Sequence, residues 1–139
     1  MTLNEFVWKY NGKKVDYDNF AGAQCVDLFR QYSKDVRGIK ESLEPCTTSG
    51  GAKDLYLDYP KMPKTAKYYV RSTRKPVAGD VAVWGGTKGN PYGHVAIVLG
   101  TLNRDLIVFE QDGYRQDGAK VNIRSCDNLL GVLRGRSDV

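Results

Sequence analysis

The sequence predicts an α+β domain, with N-terminal helices packed on an antiparallel sheet of about five to six strands. Three observations carry this. Before residue 60 the apolar residues recur at helical spacing. After Pro76 they fall in short runs rich in Val and Ile, separated by Gly, Asn and Asp, as strands joined by turns require. The chain has 139 residues and no internal repeat or linker-like tract, so residues 1–139 are read as one domain around one core.

Thr2 and Glu5 form a capping-box pattern, and Leu3, Phe6, Val7 and Tyr10 follow on one helical face, which predicts a helix over 3–10. Residues 11–23 are polar and rich in Asp, Asn and Gly, and read as a loop. Cys25, Leu28, Phe29, Tyr32 and Val36 share a face, which predicts a second helix over 24–36 that ends before Gly38. Residues 38–75 are less regular. Ala52, Leu55, Tyr56 and Tyr59 suit a short helix ahead of Pro60. Strands are expected at 80–85, 94–99, 106–111, 120–123 and 129–134.

Lys and Arg total 21 against 16 Asp and Glu, a net charge of +5. That excess favours polyanionic partners without naming one. Much of it lies in Lys61, Lys64, Lys67, Arg71, Arg74 and Lys75, a stretch with no acid and with Tyr68 and Tyr69 inside it. A nucleic-acid surface and a solvated face both fit this stretch, and the solvated face is the commoner outcome. The longest strongly apolar run, 95–99, is far too short to span a bilayer, so no membrane insertion is expected. No basic segment leads into an apolar one at the N-terminus, so no signal peptide is read. The three cysteines, Cys25, Cys46 and Cys126, cannot all pair within one chain. The single histidine, His94, excludes a zinc site built on two histidines and routes any histidine chemistry through itself.

Cys25 falls in the first turn of the second helix. The helix dipole and unpaired N–H groups there stabilise a thiolate, the nucleophilic form. The bland alternative is a small buried hydrophobe, and Cys46 and Cys126 are read that way. His94 opens a strand that a hairpin connection at 100–105 joins to the strand at 106–111. A turn centred there pairs residues whose numbers sum to roughly 205, setting His94 opposite Glu110 to Asp112. A carboxylate beside an imidazole fixes its tautomer and stabilises the imidazolium. The alternative for Glu110 is a solvated strand end. Asp16, Asp18, Phe20, Gly22 and Asp27 take the first, third, fifth, seventh and twelfth places of a stretch with the ligand spacing of a calcium loop. Phe20 and Gly22 offer carbonyls only, position six is Ala21, and Asp27 is shorter than the usual Glu, so this is no EF-hand. Solvated acids, or a cap on the second helix, are the alternative.

Ala23-Gln24-Cys25-Val26-Asp27-Leu28 is followed by Pro76-Val77-Ala78-Gly79-Asp80-Val81-Ala82-Val83-Trp84, then by Tyr92-Gly93-His94-Val95-Ala96-Ile97-Val98 and Val108-Phe109-Glu110-Gln111-Asp112, and a last strand contains Leu130-Gly131-Val132-Leu133-Arg134. In order and spacing these blocks resemble the CHAP family, the cysteine- and histidine-dependent amidohydrolases/peptidases that cut peptidoglycan. The resemblance implies a papain-like fold, with Cys25 as nucleophile, His94 as general base and then acid, and Glu110 as the orienting residue. Where the family often has Asn, this chain has Asp112, which either assists His94 or lines the cleft. Backbone N–H groups at the start of the Cys25 helix, with Gln24, are the expected oxyanion hole. Phage members of the family carry calcium (Ca2+) at the place of Asp16, Asp18 and Asp27, which raises the metal reading, in a structural role.

The resemblance implies a peptidoglycan hydrolase, either an endopeptidase or an N-acetylmuramoyl-L-alanine amidase, from an endolysin of a Gram-positive phage. Expected partners are Gram-positive peptidoglycan and anionic wall polymers, with no nucleic acid, and the expected state is a monomer. The leaderless start fits accumulation in the host cytoplasm before holin-dependent release to the cell wall. The chain stops after its last strand, as a catalytic domain excised from a longer endolysin would. A leaderless bacterial or virion-associated wall hydrolase is the alternative within the class. A non-catalytic basic binding module is the alternative outside it.

Overall fold

A computed structural model describes residues 1–19, 22 and 24–139 of the chain. Helices α1 (Leu3–Tyr10) and α2 (Cys25–Asp35) come first, followed by the short helices α3 (Asp54–Leu57) and α4 (Pro63–Tyr68). Six strands follow: β1 (Tyr69–Ser72), β2 (Val81–Trp84), β3 (His94–Leu102), β4 (Asp105–Glu110), β5 (Lys120–Ser125) and β6 (Leu129–Gly135). They form one antiparallel sheet in the order β1-β6-β2-β3-β4-β5.

The expected capping box closes α1. Thr2 Oγ1 accepts from the Glu5 N–H at 3.1 Å, and the Thr2 N–H donates to Glu5 Oε1 at 2.9 Å. Phe6 on its inner face is fully buried and meets Tyr32 and Phe109 edge-on. At the start of α2, Asp27 Oδ2 accepts from the Gln24 N–H at 2.9 Å. Leu28, Phe29 and Tyr32 then point into the core. Strand alternation divides the sheet. Val81, Val83, Val95, Ile97, Phe109 and Leu133 pack under the helices. Ala82, Trp84, Ala96, Val98, Leu106, Val108 and Val132 make a second, smaller core on the other face.

The basic stretch contributes structure that its composition hides. It holds α4 and the edge strand β1, which pairs with β6. The strand has only four residues, too few to show alternation. Tyr69 is fully buried, with its hydroxyl 2.7 Å from Ser33 Oγ, and the Tyr68 hydroxyl bonds Glu41 at 2.6 Å. Both tyrosines are therefore engaged within the fold. No helix is long and apolar enough to cross a membrane among the described residues.

Candidate active site

Three elements converge on one cleft. Cys25 is the first residue of α2, His94 the first of β3 and Glu110 the last of β4. The β3–β4 ladder pairs Ile97 with Phe109 and Val98 with Val108, one residue away from the expected register. Continued inward, this sets Ala96 rather than His94 across from Glu110. His94 and Glu110 still share a face, and the longer carboxylate arm spans the diagonal. His94 Nε2 lies 2.9 Å from Glu110 Oε1. A carboxylate only accepts, so Nε2 carries the proton, and the other ring nitrogen is left for Cys25, whose thiol favours the charged ring.

Glu110 is buried, yet both of its oxygens are saturated. Besides His94, it accepts from Asn122 Nδ2 at 2.9 Å, from Arg124 Nε at 2.8 Å and from Arg124 Nη2 at 3.0 Å. Burial alone would raise its pKa, but the bonds from His94, Arg124 and Asn122 outweigh it and hold the group well below the usual carboxylate range. Burial likewise works against a charged His94. Its interactions with Cys25 and Glu110 prevail, and the imidazole is pushed up to about 9. The Arg124 guanidinium lies 5.6 Å over the Trp84 ring, whose centroid is 5.7 Å from that of His94. Trp84 is held in turn by its Nε1–H, which donates to the Ser125 carbonyl at 2.9 Å.

Backbone constraints aim these groups. Gly93, just before His94, has φ of 75°. A Cβ there would lie 2.4 Å from the Trp84 carbonyl oxygen and 2.8 Å from Lys53 Cβ, so only glycine fits. Gln111 is fully buried. Its Nε2 donates to the Gln24 carbonyl at 2.8 Å and to the Val15 carbonyl at 2.7 Å, and its Oε1 accepts from the Val15 N–H at 2.7 Å. This one side chain ties the loop ahead of α2, and with it Cys25, to the end of β4.

The cleft encloses about 490 Å³. Its walls come from Gln24 to Val26, Ser49 to Ala52, Asn90, Tyr92 to His94, and Asp112 to Tyr114. Buried Asp54 anchors the second wall, accepting from Ser49 Oγ at 2.7 Å and from the Ser49 N–H at 2.9 Å. Gln24 and Asp112 both line the cleft. Asp112 Oδ1 accepts from the Tyr114 N–H at 2.8 Å, and Oδ2 lies 3.7 Å from Arg115 Nε.

Of the calcium-loop residues, the fold gathers Asp16, Asp18 and Asp27, with one oxygen of each within 4.8 Å of the others. Gly22 lies in the same loop with φ of 75°, and Phe20 falls outside the described residues. Two observations fit a divalent cation here. Asp16 Oδ1 is buried with no hydrogen-bond partner among the described residues. Asp27 is pushed up to about 6, chiefly by burial, with the charges of Asp18 and Asp16 adding to it. A hard cation with oxygen ligands answers both.

Sequence reasoning missed Arg124, Asn122 and Gln111 as site residues. Arg124 and Asn122 alternate on β5 two residues apart, but only strand pairing shows that their face meets Glu110.

The CHAP domain model matches residues 13–112. The chain belongs to the CHAP domain family. A "D-alanyl-L-alanine endopeptidase" of Streptococcus phage B30 is 33% identical over 97 residues, covering 69% of this chain. The chain spans about a fifth of that relative's length, 21%. Among solved structures, Ly7917 superposes with a TM-score of 0.73 at 23% identity, over 97% of this chain and 63% of that one. The wild-type endolysin LysIME-EF1 gives 0.70 at 24% identity, over 96% and 64%. These likenesses agree with the α+β fold expected from the sequence. Asn122 and Arg124 lie beyond the segment that the family model matches.

Proposed function

We propose that this domain hydrolyses an amide bond in the peptide part of peptidoglycan, as the catalytic part of a phage endolysin acting at the bacterial cell wall. The observation that carries the reading is the convergence of Cys25 and His94 on the cleft wall, with His94 Nε2 bonded to Glu110 behind it. The Cys25 sulfur attacks the scissile carbonyl carbon while His94 holds the thiol proton. The negative oxygen of the tetrahedral intermediate is taken by the N–H groups at the start of α2, with Gln24. The C–N bond breaks and His94 gives its proton to the leaving amine, which leaves a thioester on Cys25. Water then attacks with His94 as base, releasing the new carboxylate and restoring the thiol. Glu110 keeps the imidazole in the productive tautomer throughout.

The name of the phage relative favours an endopeptidase cutting between D-alanine and L-alanine over an amidase. Asp16, Asp18 and Asp27 would hold calcium, with carbonyls of the same loop, Phe20 and Gly22 among them. The ion would neutralise three crowded carboxylates and order the loop that ends on Cys25. The domain is expected to act as a monomer after holin-dependent release from the host cytoplasm, its net charge of +5 favouring anionic wall polymers.

Digestion of purified Gram-positive peptidoglycan in calcium, with Cys25→Ala as blank and mass spectrometry of the products, tests this. Fragments with a new D-alanine C-terminus are expected only with the intact cysteine. Release of free stem peptides from muramic acid would make it an amidase. Digests of several wall chemotypes indistinguishable from the blank would overturn the hydrolase reading.

A further inference from the structure

The chain carries a net charge of +5, yet no Lys or Arg is among the residues that line its cleft. His94 and Asp112 are the ionisable wall groups besides the cysteine and the tyrosines. Asp112 supplies the carboxylate on that wall, and a carboxylate facing the cleft attracts a substrate cation. The turn after β4 adds a second feature. The Tyr114 N–H bonds Asp112 Oδ1 at 2.8 Å, and the Asp112 carbonyl accepts from the Gln116 N–H at 3.1 Å. This holds the carboxylate and the 70% exposed Tyr114 ring on one rim. A carboxylate and an aromatic ring on one rim suit a primary ammonium, which can donate a charge-assisted hydrogen bond to the first and make a cation–π contact with the second. Arg115, 71% exposed and 3.7 Å from Oδ2, competes with a substrate ammonium for that oxygen, and the charge of Arg124 also reaches Asp112.

We propose that Asp112 and Tyr114 form a subsite for a primary ammonium group on the wall peptide, such as the side-chain amine of a diamino acid. This rests on the hydrolase reading and deepens it, because it makes free amines on the peptide a condition of efficient cutting. Asp112 then acts on substrate selection rather than on the imidazole.

The test uses purified peptidoglycan, either native or with its free amines acetylated, and measures the rate at which new C-termini appear. The wild-type domain is expected to cut native wall about tenfold faster than acetylated wall, mainly through KM, with the ratio falling as salt rises. Asp112→Asn should bring the ratio close to one, and Asp112→Glu should keep most of it. Arg115→Ala should raise the ratio, because it frees Oδ2. That variant also decides the matter if Asp112→Asn fails to fold. Equal wild-type rates on both walls would overturn the proposal, as would an undiminished ratio in Asp112→Asn or an unchanged ratio in Arg115→Ala. A wild-type digest no different from Cys25→Ala would overturn the hydrolase reading and this subsite with it.

Discussion

Glu110 and Asp27 are both buried carboxylates, at 2% and 3% exposure, and the fold treats them in opposite ways. Glu110 accepts four hydrogen bonds from His94, Asn122 and Arg124, two of them from a guanidinium. Its charged form is stabilised despite burial. Burial disfavours the charged form of Asp27, its one backbone bond from Gln24 does not offset that, and the charges of Asp18 and Asp16 add to the effect. Burial pushes both carboxylates toward the neutral form, and what differs is whether their partners outweigh it. At Glu110 the chain supplies the counter-charge itself. At Asp27 the counter-charge has to come from outside, which is the physical argument for a cation.

The largest expected effect breaks the first site. Glu110→Gln keeps the shape but removes the charge that holds the imidazolium, and it leaves Arg124 unpaired. The expected fall in kcat is a hundredfold or more, measured on wall digestion with far-UV dichroism to confirm folding. Arg124→Met comes next. It leaves a buried charge with only His94 and Asn122, so a loss of about 2 kcal/mol in denaturant unfolding is expected, discounted for the partial exposure of the arginine. The pH profile sharpens this. A histidine raised to about 9 contributes stability that is fully present below its ordinary 6.5 and is lost as pH rises through 9. Arg124 opposes the charge on His94, so the alkaline limb of kcat/KM should move upward in Arg124→Met. A limb that stays in place would separate Arg124 from His94.

The smallest effect belongs to the acid cluster. Asp27 is raised to about 6, so the metal-free protein loses stability as pH climbs from about 4 through 6. Calcium should therefore raise Tm by several degrees at pH 7.5 and by much less at pH 5. Asp27→Asn should stabilise the metal-free protein at pH 7.5, since an amide oxygen can still accept from Gln24, and should abolish the response to calcium. An equal Tm gain at both pH values would contradict the cluster as the binding site.

Local pattern made much of this legible. The Thr2–Glu5 box, the helical spacing around Phe6 and Leu28, and the Val-rich runs after Pro76 each report a short-range rule, and the elements stand within a few residues of where that rule sets them. Cys25 at the head of α2 and His94 at the head of β3 follow from the same rules. The register of β3 and β4 lies one residue from the expected one, because the turn falls at 103–104, and a bulge between Val98 and Gly100 takes back one place of the resulting shift, which alternation cannot reveal. Strand β1 was hidden because four residues, with Arg71 among them, are too few to carry a period.

The sequence by itself determined which residue types were available: one histidine, one cysteine at a helix start, and acids at ligand spacing ahead of it. These follow from composition and from the fixed geometry of helix and strand. Tertiary structure alone decided that Arg124 and Asn122 close on Glu110 and that Gln111 fastens the Cys25 loop to β4. Those contacts join segments from different elements, and their formation depends on which faces the folded sheet brings together.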